Sequence, residues 1–236
     1  MTTFNTRSYL RLVLFDIDGT LISTNGIAKR TFAEAMAQMY GPSDAALDHD
    51  FAGKTDQQIY HELVQKSGID AGTATARMHE TLTVFLDMLE ERLTAENVTA
   101  LPGVHTLLAA LAEESTVTLG LLTGNMIRGA RIKLVPPRLD KYFAFGAFGS
   151  DAMHRHELPS IALERAYNRT GYVFKDKEII VIGDTPNDIE CGRHLNVRTI
   201  AVASGGAKRE DLAKHAPDFL FDSLEDTDTV IDAIVT

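Results

Sequence analysis

Four stretches of this chain are almost unbroken runs of apolar residues: RLVLFD at 11–16, TVTLGLL at 116–122, EIIVIGD at 178–184 and RTIAVA at 198–203. Alternating polar and apolar residues would mark strands with one wet face, whereas continuous runs of this length mark strands covered on both faces. Between and after them lie segments of helical periodicity: LPGVHTLLAALAEE, LPSIALERAYNRTG, TPNDIECGRHL and KREDLAKHA. Strand and helix in alternation predict a parallel sheet with helices on both sides, a doubly wound, Rossmann-like α/β core. FAFGAF and DFLF are weaker strand candidates.

The rhythm breaks once. After the first run no further strand is expected until about Val117, and residues 24–97 carry helical patterns only: GIAKRTFAEAMAQMY, TDQQIYHELVQKSG and ATARMHETLTVFLDMLEERL. This predicts an all-helical insert at 24–97 in a core made of 1–23 and 98–236, with Pro102 and Gly103 marking the return. The insert leaves the core at the C-terminal end of a strand, where open α/β sheets bind ligands, so it is placed to act as a lid.

Charge narrows the partners. With 23 basic and 33 acidic residues the 236-residue chain carries −10 and no basic run. Nucleic acid and anionic membrane are therefore excluded as expected partners, since both demand clustered Lys and Arg. A small anionic substrate remains compatible if a cation masks the local carboxylates. The single cysteine, Cys191, rules out an intrachain disulfide, fits a reducing cytoplasm, and is expected as a packed core thiol. The polar N-terminus, with its first apolar run ending at Asp16, is unlike a signal peptide or a membrane span.

Each acidic motif sits at a strand end. Asp16 and Asp18 close the first run, and a D-x-D-G sequence alone is compatible with a simple turn. Asp184 closes the third run and Asp188 follows in what would be the first helical turn, where an acid also complements the helix dipole. Four carboxylates gathered on one edge repel unless a cation lies among them, and an oxygen-only ligand set points to Mg²⁺. Thr123 ends the second run, and with Gly124 and Asn125 it could form an anion site at a helix start or an ordinary cap.

FDIDGTL, LLTGN and GDTPND, in that order and with a helical insert after the first, resemble the motifs of the haloacid dehalogenase superfamily. More narrowly they are similar to its phosphatases with a helical cap, such as phosphoglycolate phosphatases. The resemblance implies a Mg²⁺-dependent phosphatase acting on a small phosphorylated metabolite, as a monomer or homodimer. Asp16 would be the nucleophile that becomes an aspartyl phosphate. Asp18 would protonate the leaving alcohol and then deprotonate the hydrolytic water. Thr123 would hold a phosphate oxygen, with Gly19, Gly124 and Asn125 around the substrate. Asp184 and Asp188 would anchor Mg²⁺ together with the Asp16 carboxylate and the Asp18 main-chain carbonyl. Dehalogenases and phosphonate-cleaving relatives lack an aspartate where Asp18 stands, which favours phosphate esters.

One motif departs from the family pattern. A Lys is expected just before Pro159, and Leu158 stands there instead. Arg155 is the nearest cation and is expected to replace it, with Lys133 and Lys175 as alternatives. In AGKTDQQI, Lys54 and Thr55 are candidates to touch the leaving group; a P-loop is excluded because Asp48 occupies the required glycine position. SGGAKRE could line the site by its backbone, and His154 and His156 are expected at the surface. A phosphosugar mutase or a pyrophosphatase on the same core, or a phosphate- and metal-binding protein that has lost turnover, are the competing readings.

Overall fold

The computed structural model describes residues 10–43, 46 and 48–236; the polar N-terminal stretch read above, residues 1–9, lies outside them. β1 (Arg11–Phe15) is buried along its whole length, as its unbroken apolar sequence demands. It sits between β4 (Val117–Leu122) and β6 (Ile179–Gly183), with β5 (Gly146–Ala147) beyond β4 and β7 (Arg198–Val202) and β8 (Phe219–Phe221) beyond β6. All the pairings in this six-stranded sheet are parallel. The two weak strand candidates are thus its edges.

Alternate residues of each strand point to opposite faces, so both faces need cover. Val13, Phe15, Ile180 and Ile182 pack with Leu107, Leu108 and Leu111 of α4 (Val104–Glu113) and Val230 and Ile234 of α9 (Thr227–Val235). Leu12, Leu14, Ile179 and Val181 pack instead with Leu158, Ala162 and Ala166 of α6 (Leu158–Thr170). The sheet is doubly wound as expected. From β1 the chain runs outward through β4 to β5, then returns to β6 and runs the other way. β1 and β6 therefore flank the switch point where the following loops diverge and leave a crevice.

The region expected to be strand-free holds two short strands. β2 (Ile22–Ser23) and β3 (Thr99–Ala100) pair antiparallel, Ile22 with Ala100 and Ser23 with Thr99. They corrected the reading because two-residue strands carry too little pattern to be seen in sequence. Their pairing clamps together the two stems through which the insert leaves and re-enters. Between them lie α1 (Ile27–Tyr40), α2 (Asp56–Lys66) and α3 (Ala71–Arg92). Tyr60 of α2 is fully buried and its hydroxyl lies 2.6 Å from that of Tyr40 and 2.7 Å from the carbonyl of Ala74, tying the three helices together.

This helical cap sits down on the core. The Asp56 amide donates to the Gly124 carbonyl and the Asp56 carboxylate accepts from the Met126 amide, both at 2.8 Å. Gln57 donates to the Gly149 carbonyl at 2.7 Å, and Arg128 of α5 (Ile127–Leu134) pairs with Asp87 and Glu90 of α3. Gly124 has to be a glycine here: a Cβ would lie 2.0 Å from the Lys54 carbonyl oxygen. Among the described residues no helix is long and apolar enough to cross a membrane.

Candidate active site

The register of the sheet brings the three strand-end motifs together. Phe15 pairs with Ile182 on one side and Leu121 on the other, so Asp16, Asp184 and Thr123 emerge at the same edge. The Asp16 amide continues the ladder to the Ile182 carbonyl at 3.0 Å. Asp188 lies in the first turn of α7 (Pro186–Cys191), where Thr185 caps the helix and donates from its amide (3.0 Å) and hydroxyl (2.6 Å) to Asp188 Oδ2. The capping role and the placement at the crevice coincide in this one carboxylate.

Three of the four expected carboxylates converge. One oxygen each from Asp16, Asp184 and Asp188 lie within 4.8 Å of one another, and all three residues are buried. Gly19 makes room for them: it adopts φ 79°, and a Cβ there would stand 2.3 Å from Asp184 Oδ2. Thr20 donates to Asp184 Oδ1 at 3.4 Å, and Ser204 of the glycine-containing SGGAKRE turn donates to the Gly19 carbonyl at 2.8 Å. Gly206 of that turn lines the cavity, the backbone role expected of it.

Arg155 stands beside them, on the short 3₁₀ turn Arg155–Glu157 that enters α6. Its Nη2 lies 3.2 Å from Asp16 Oδ1, pairs with Asp188 Oδ1, and donates to the Leu122 carbonyl at 2.9 Å. Of the three cations proposed for the missing lysine, only Arg155 reaches Asp16. Lys175 is exposed ahead of β6, at the opposite end of the sheet from Asp184.

The electrostatics report an unfinished charge balance. Burial pushes the Asp184 carboxyl up to about 8, reinforced by the charges of Asp188, Asp16 and Asp18 and opposed by Arg155. Burial likewise lifts Asp16 to about 6, with Arg155 opposing and Asp188 and Asp18 adding to the rise. If all three carboxylates were ionised against one guanidinium, two negative charges would remain in a buried, oxygen-only donor set, a state that the lifted Asp184 and Asp16 values oppose. Those residues fit a hard divalent cation.

Asp18 is drawn aside from this cluster. Its carboxylate receives Lys133 Nζ on both oxygens, at 2.8 and 2.7 Å, and Asn125 Nδ2 on Oδ2 at 2.8 Å. Asn125 Nδ2 also donates to Thr123 Oγ1 at 2.8 Å. Lys54, read as a substrate contact, lines the cavity but gives its ammonium to Glu62 at 2.6 Å. His154 and His156 stack on each other at the surface, and the Cys191 thiol is buried with its pKa pushed up to about 12 by that burial. Neither belongs to the site.

Above the carboxylates lies a cavity of about 280 Å³ whose roof is built by the cap from Ala28, Phe32, Phe51, Ile59 and Phe85. Sequence reading did not find this roof, nor Lys29 and Asp56 beside it. Phe32 and Phe85 sit at ordinary amphipathic helix positions and Phe51 in the loop before α2, and nothing in their spacing separates a core ring from a cavity wall.

Comparison with known proteins agrees with this geometry. The family model described as haloacid dehalogenase-like hydrolase matches residues 13–202. The pyrophosphatase PpaX of Anoxybacillus flavithermus is 27% identical over 218 residues, covering 92% of this chain and 94% of that one. The PpaX of Listeria innocua is 28% identical over 217 residues, 91% and 93% of the two chains. Among solved structures, a hydrolase from Pseudomonas syringae superposes with a TM-score of 0.71 at 21% identity, covering 96% of this chain and all of that one. A predicted phosphoglycolate phosphatase from Haemophilus somnus gives 0.71 at 16% identity with the same coverage; likenesses of this depth speak for the fold alone. The chain belongs to the haloacid dehalogenase-like hydrolases.

Proposed function

We propose that the protein is a Mg²⁺-dependent phosphatase that hydrolyses a small phosphate monoester through a phosphorylated Asp16. The observation that carries this reading is the buried cluster of Asp16, Asp184 and Asp188 with Arg155 held against both Asp16 and Asp188. Asp16 is an anion that must approach an anionic phosphoryl group. When bound, Mg²⁺ supplies the positive charge that makes such an approach favourable. Asp184, Asp188 and the Asp16 carboxylate would hold it, with the Asp18 carbonyl.

The chain's own groups divide the remaining work. Asp16 attacks phosphorus while Arg155 keeps its carboxylate oriented and offsets charge on the transferred group. Asp18 gives a proton to the departing oxygen, then takes one from the water that releases phosphate from Asp16. The Thr123 hydroxyl, fully buried at the end of β4, lies beside the same cavity. The cap, seated through Asp56 and Gln57, keeps bulk water off the intermediate.

Substrate size follows from the cavity. Its volume of about 280 Å³ lies at the lower end of ligand pockets, which run to roughly 1,000 Å³. A second reading, pyrophosphate hydrolysis, has a specific observation in its favour besides the name of the relatives. Arg155, Lys133 and Lys54 on the cavity wall each face a carboxylate. Lys29, among the described lining residues, does not: its Nζ donates to the His49 carbonyl at 2.8 Å and stands 5.4 Å from the Phe51 ring centroid. That favours a leaving group with its own negative charge, either a second phosphate or the carboxylate of a phosphorylated acid.

The test is phosphate release from a panel of small phosphoesters, with phosphoglycolate and pyrophosphate among them, in the presence and absence of EDTA and with Asp16→Asn. Loss of release in both is expected. Activity that survives both would contradict the proposal.

A further inference from the structure

Lys133 was considered above only as a stand-in for a missing lysine, and the structure gives it other work. We propose that Lys133, through Asn125, is the positioning residue that sets the Asp18 carboxyl for proton transfer to the leaving group, with the proton carried on Oδ1. This rests on the reading of Asp18 as the acid and base of the reaction.

Asp18 needs holding. Its side chain is 42% exposed, and it lies three residues past the end of β1, just before the turn at Gly19, where a carboxyl group would otherwise turn among its rotamers. Lys133 reaches it from the last turn of α5 with an ammonium that is almost completely enclosed, its side chain 6% exposed. That ammonium has three donors and uses all of them: Asp18 Oδ1 at 2.8 Å, Asp18 Oδ2 at 2.7 Å and Asn125 Oδ1 at 2.6 Å. Because Lys only donates, the Asn125 amide is forced to turn its oxygen to Lys133 and its nitrogen to Asp18 and Thr123. Lys133, Asp18 and Asn125 so form a closed ring, with the Thr123 hydroxyl attached to it.

The ring leaves an asymmetry on Asp18. A carboxylate offers about four lone-pair positions, two on each oxygen. Oδ2 accepts from both Lys133 and Asn125, whereas among the described residues Oδ1 accepts from Lys133 alone. Oδ1 thus keeps the open position. In the first step the bond from phosphorus to the leaving oxygen breaks as the Asp16–phosphorus bond forms, and the Asp18 Oδ1 proton passes to the leaving oxygen. In the second, a water oxygen bonds phosphorus, the Asp16–phosphorus bond breaks, and the water proton returns to Oδ1. Burying an ammonium is costly unless it is paired and hydrogen-bonded. An apolar side chain would have served the packing of α5 as well, so a lysine here is explained by the carboxylate it holds.

The experiment compares two leaving groups of similar size: ethyl phosphate, whose alkoxide needs a proton, and acetyl phosphate, whose acetate departs without one. For Lys133→Met, kcat/KM on ethyl phosphate, which reports the first step alone because the leaving group departs before water attacks, is expected to fall roughly 100-fold or more, in line with the range for a general acid. On acetyl phosphate it should fall no more than about tenfold. Equal losses on the two substrates, or no loss on ethyl phosphate, would overturn the proposal. Should Lys133→Met fail to fold by circular dichroism, Lys133→Gln is read in the same way. Asp18→Asn serves as the reference: if it shows no difference between the two substrates, the assignment of Asp18 fails; if it shows one and the Lys133 variant does not, only the role of Lys133 fails. The double variant should lose no more on ethyl phosphate than Asp18→Asn alone.

Discussion

The floor and the roof of the cavity are built on different physical terms. The floor is charged, buried and assembled from strand ends, where a parallel sheet fixes the spacing of Asp16, Thr123 and Asp184 through its hydrogen-bond register. The roof is apolar, made of Phe32, Phe51, Ile59 and Phe85, and is held to the floor by a small set of polar contacts through Asp56, Gln57 and Arg128. A rigid floor suits chemistry that tolerates little displacement. A roof that rests on exchangeable contacts suits entry, release and the choice of substrate. Changes to the floor should therefore abolish turnover, whereas changes to the roof should redirect or loosen it.

The largest effect is expected at the nucleophile. Asp16→Asn should lower phosphate release by about 10⁴-fold or more while leaving the melting temperature intact or raised, since a neutral amide relieves the repulsion in the cluster. Arg155→Met should come next, with a loss on the order of 10²–10³-fold measured in kcat, and Arg155→Lys should recover part of it.

Metal binding separates floor from roof by its pH dependence. The raised values of Asp184 and Asp16, about 8 and about 6 against an ordinary 3.8, mean that the native chain keeps protons the unfolded chain has lost. In metal-free protein their contribution to stability is therefore present below about pH 4 and is lost as pH rises toward 8. Mg²⁺, if it binds as proposed, should reverse that loss by replacing the protons. At about 100 times its dissociation constant it should add about 2.7 kcal/mol. In a chain of this size that is a rise of roughly 5–10 °C in melting temperature. The gain should be larger at pH 8 than at pH 5 by thermal unfolding, and a gain that is equal at both would contradict the assignment of the cluster.

Roof changes should be milder and selective. Lys29→Met should lower kcat/KM on phosphoglycolate and pyrophosphate by roughly tenfold and leave ethyl phosphate within about twofold, because only the first two bring a second charge. Smallest of all, Arg128→Ala removes ion pairs at the surface, worth about 0.2–1 kcal/mol, and should shift KM by a few-fold with kcat unchanged.

The same division explains what the sequence made legible. Strands buried on both faces announce themselves as apolar runs, and an acid at the end of such a run is conspicuous, so the sheet, Asp16, Asp184 and Asp188 could be read directly. Arg155 was reachable only as the nearest cation to a motif that lacked its lysine. Lys133 and Asp18 are separated by 115 residues, and whether a lysine in the last turn of α5 points at the β1 edge depends on helix placement that spacing does not encode. The C-terminal helix α9 is not legible in sequence, because TDTVIDAIV is short and opens on polar residues. The paired stems β2 and β3 are two residues each.

The central claim is that Asp16 forms a covalent bond to phosphorus. Rapid acid quench of the enzyme during turnover of its best substrate with Mg²⁺, followed by mass spectrometry of the peptide that contains Asp16, tests it most directly. A phosphoryl group on Asp16 that disappears when turnover is complete, and never forms in Asp16→Asn, is the predicted result. Full phosphate release with that peptide unmodified throughout, or with the label on another residue, would contradict it.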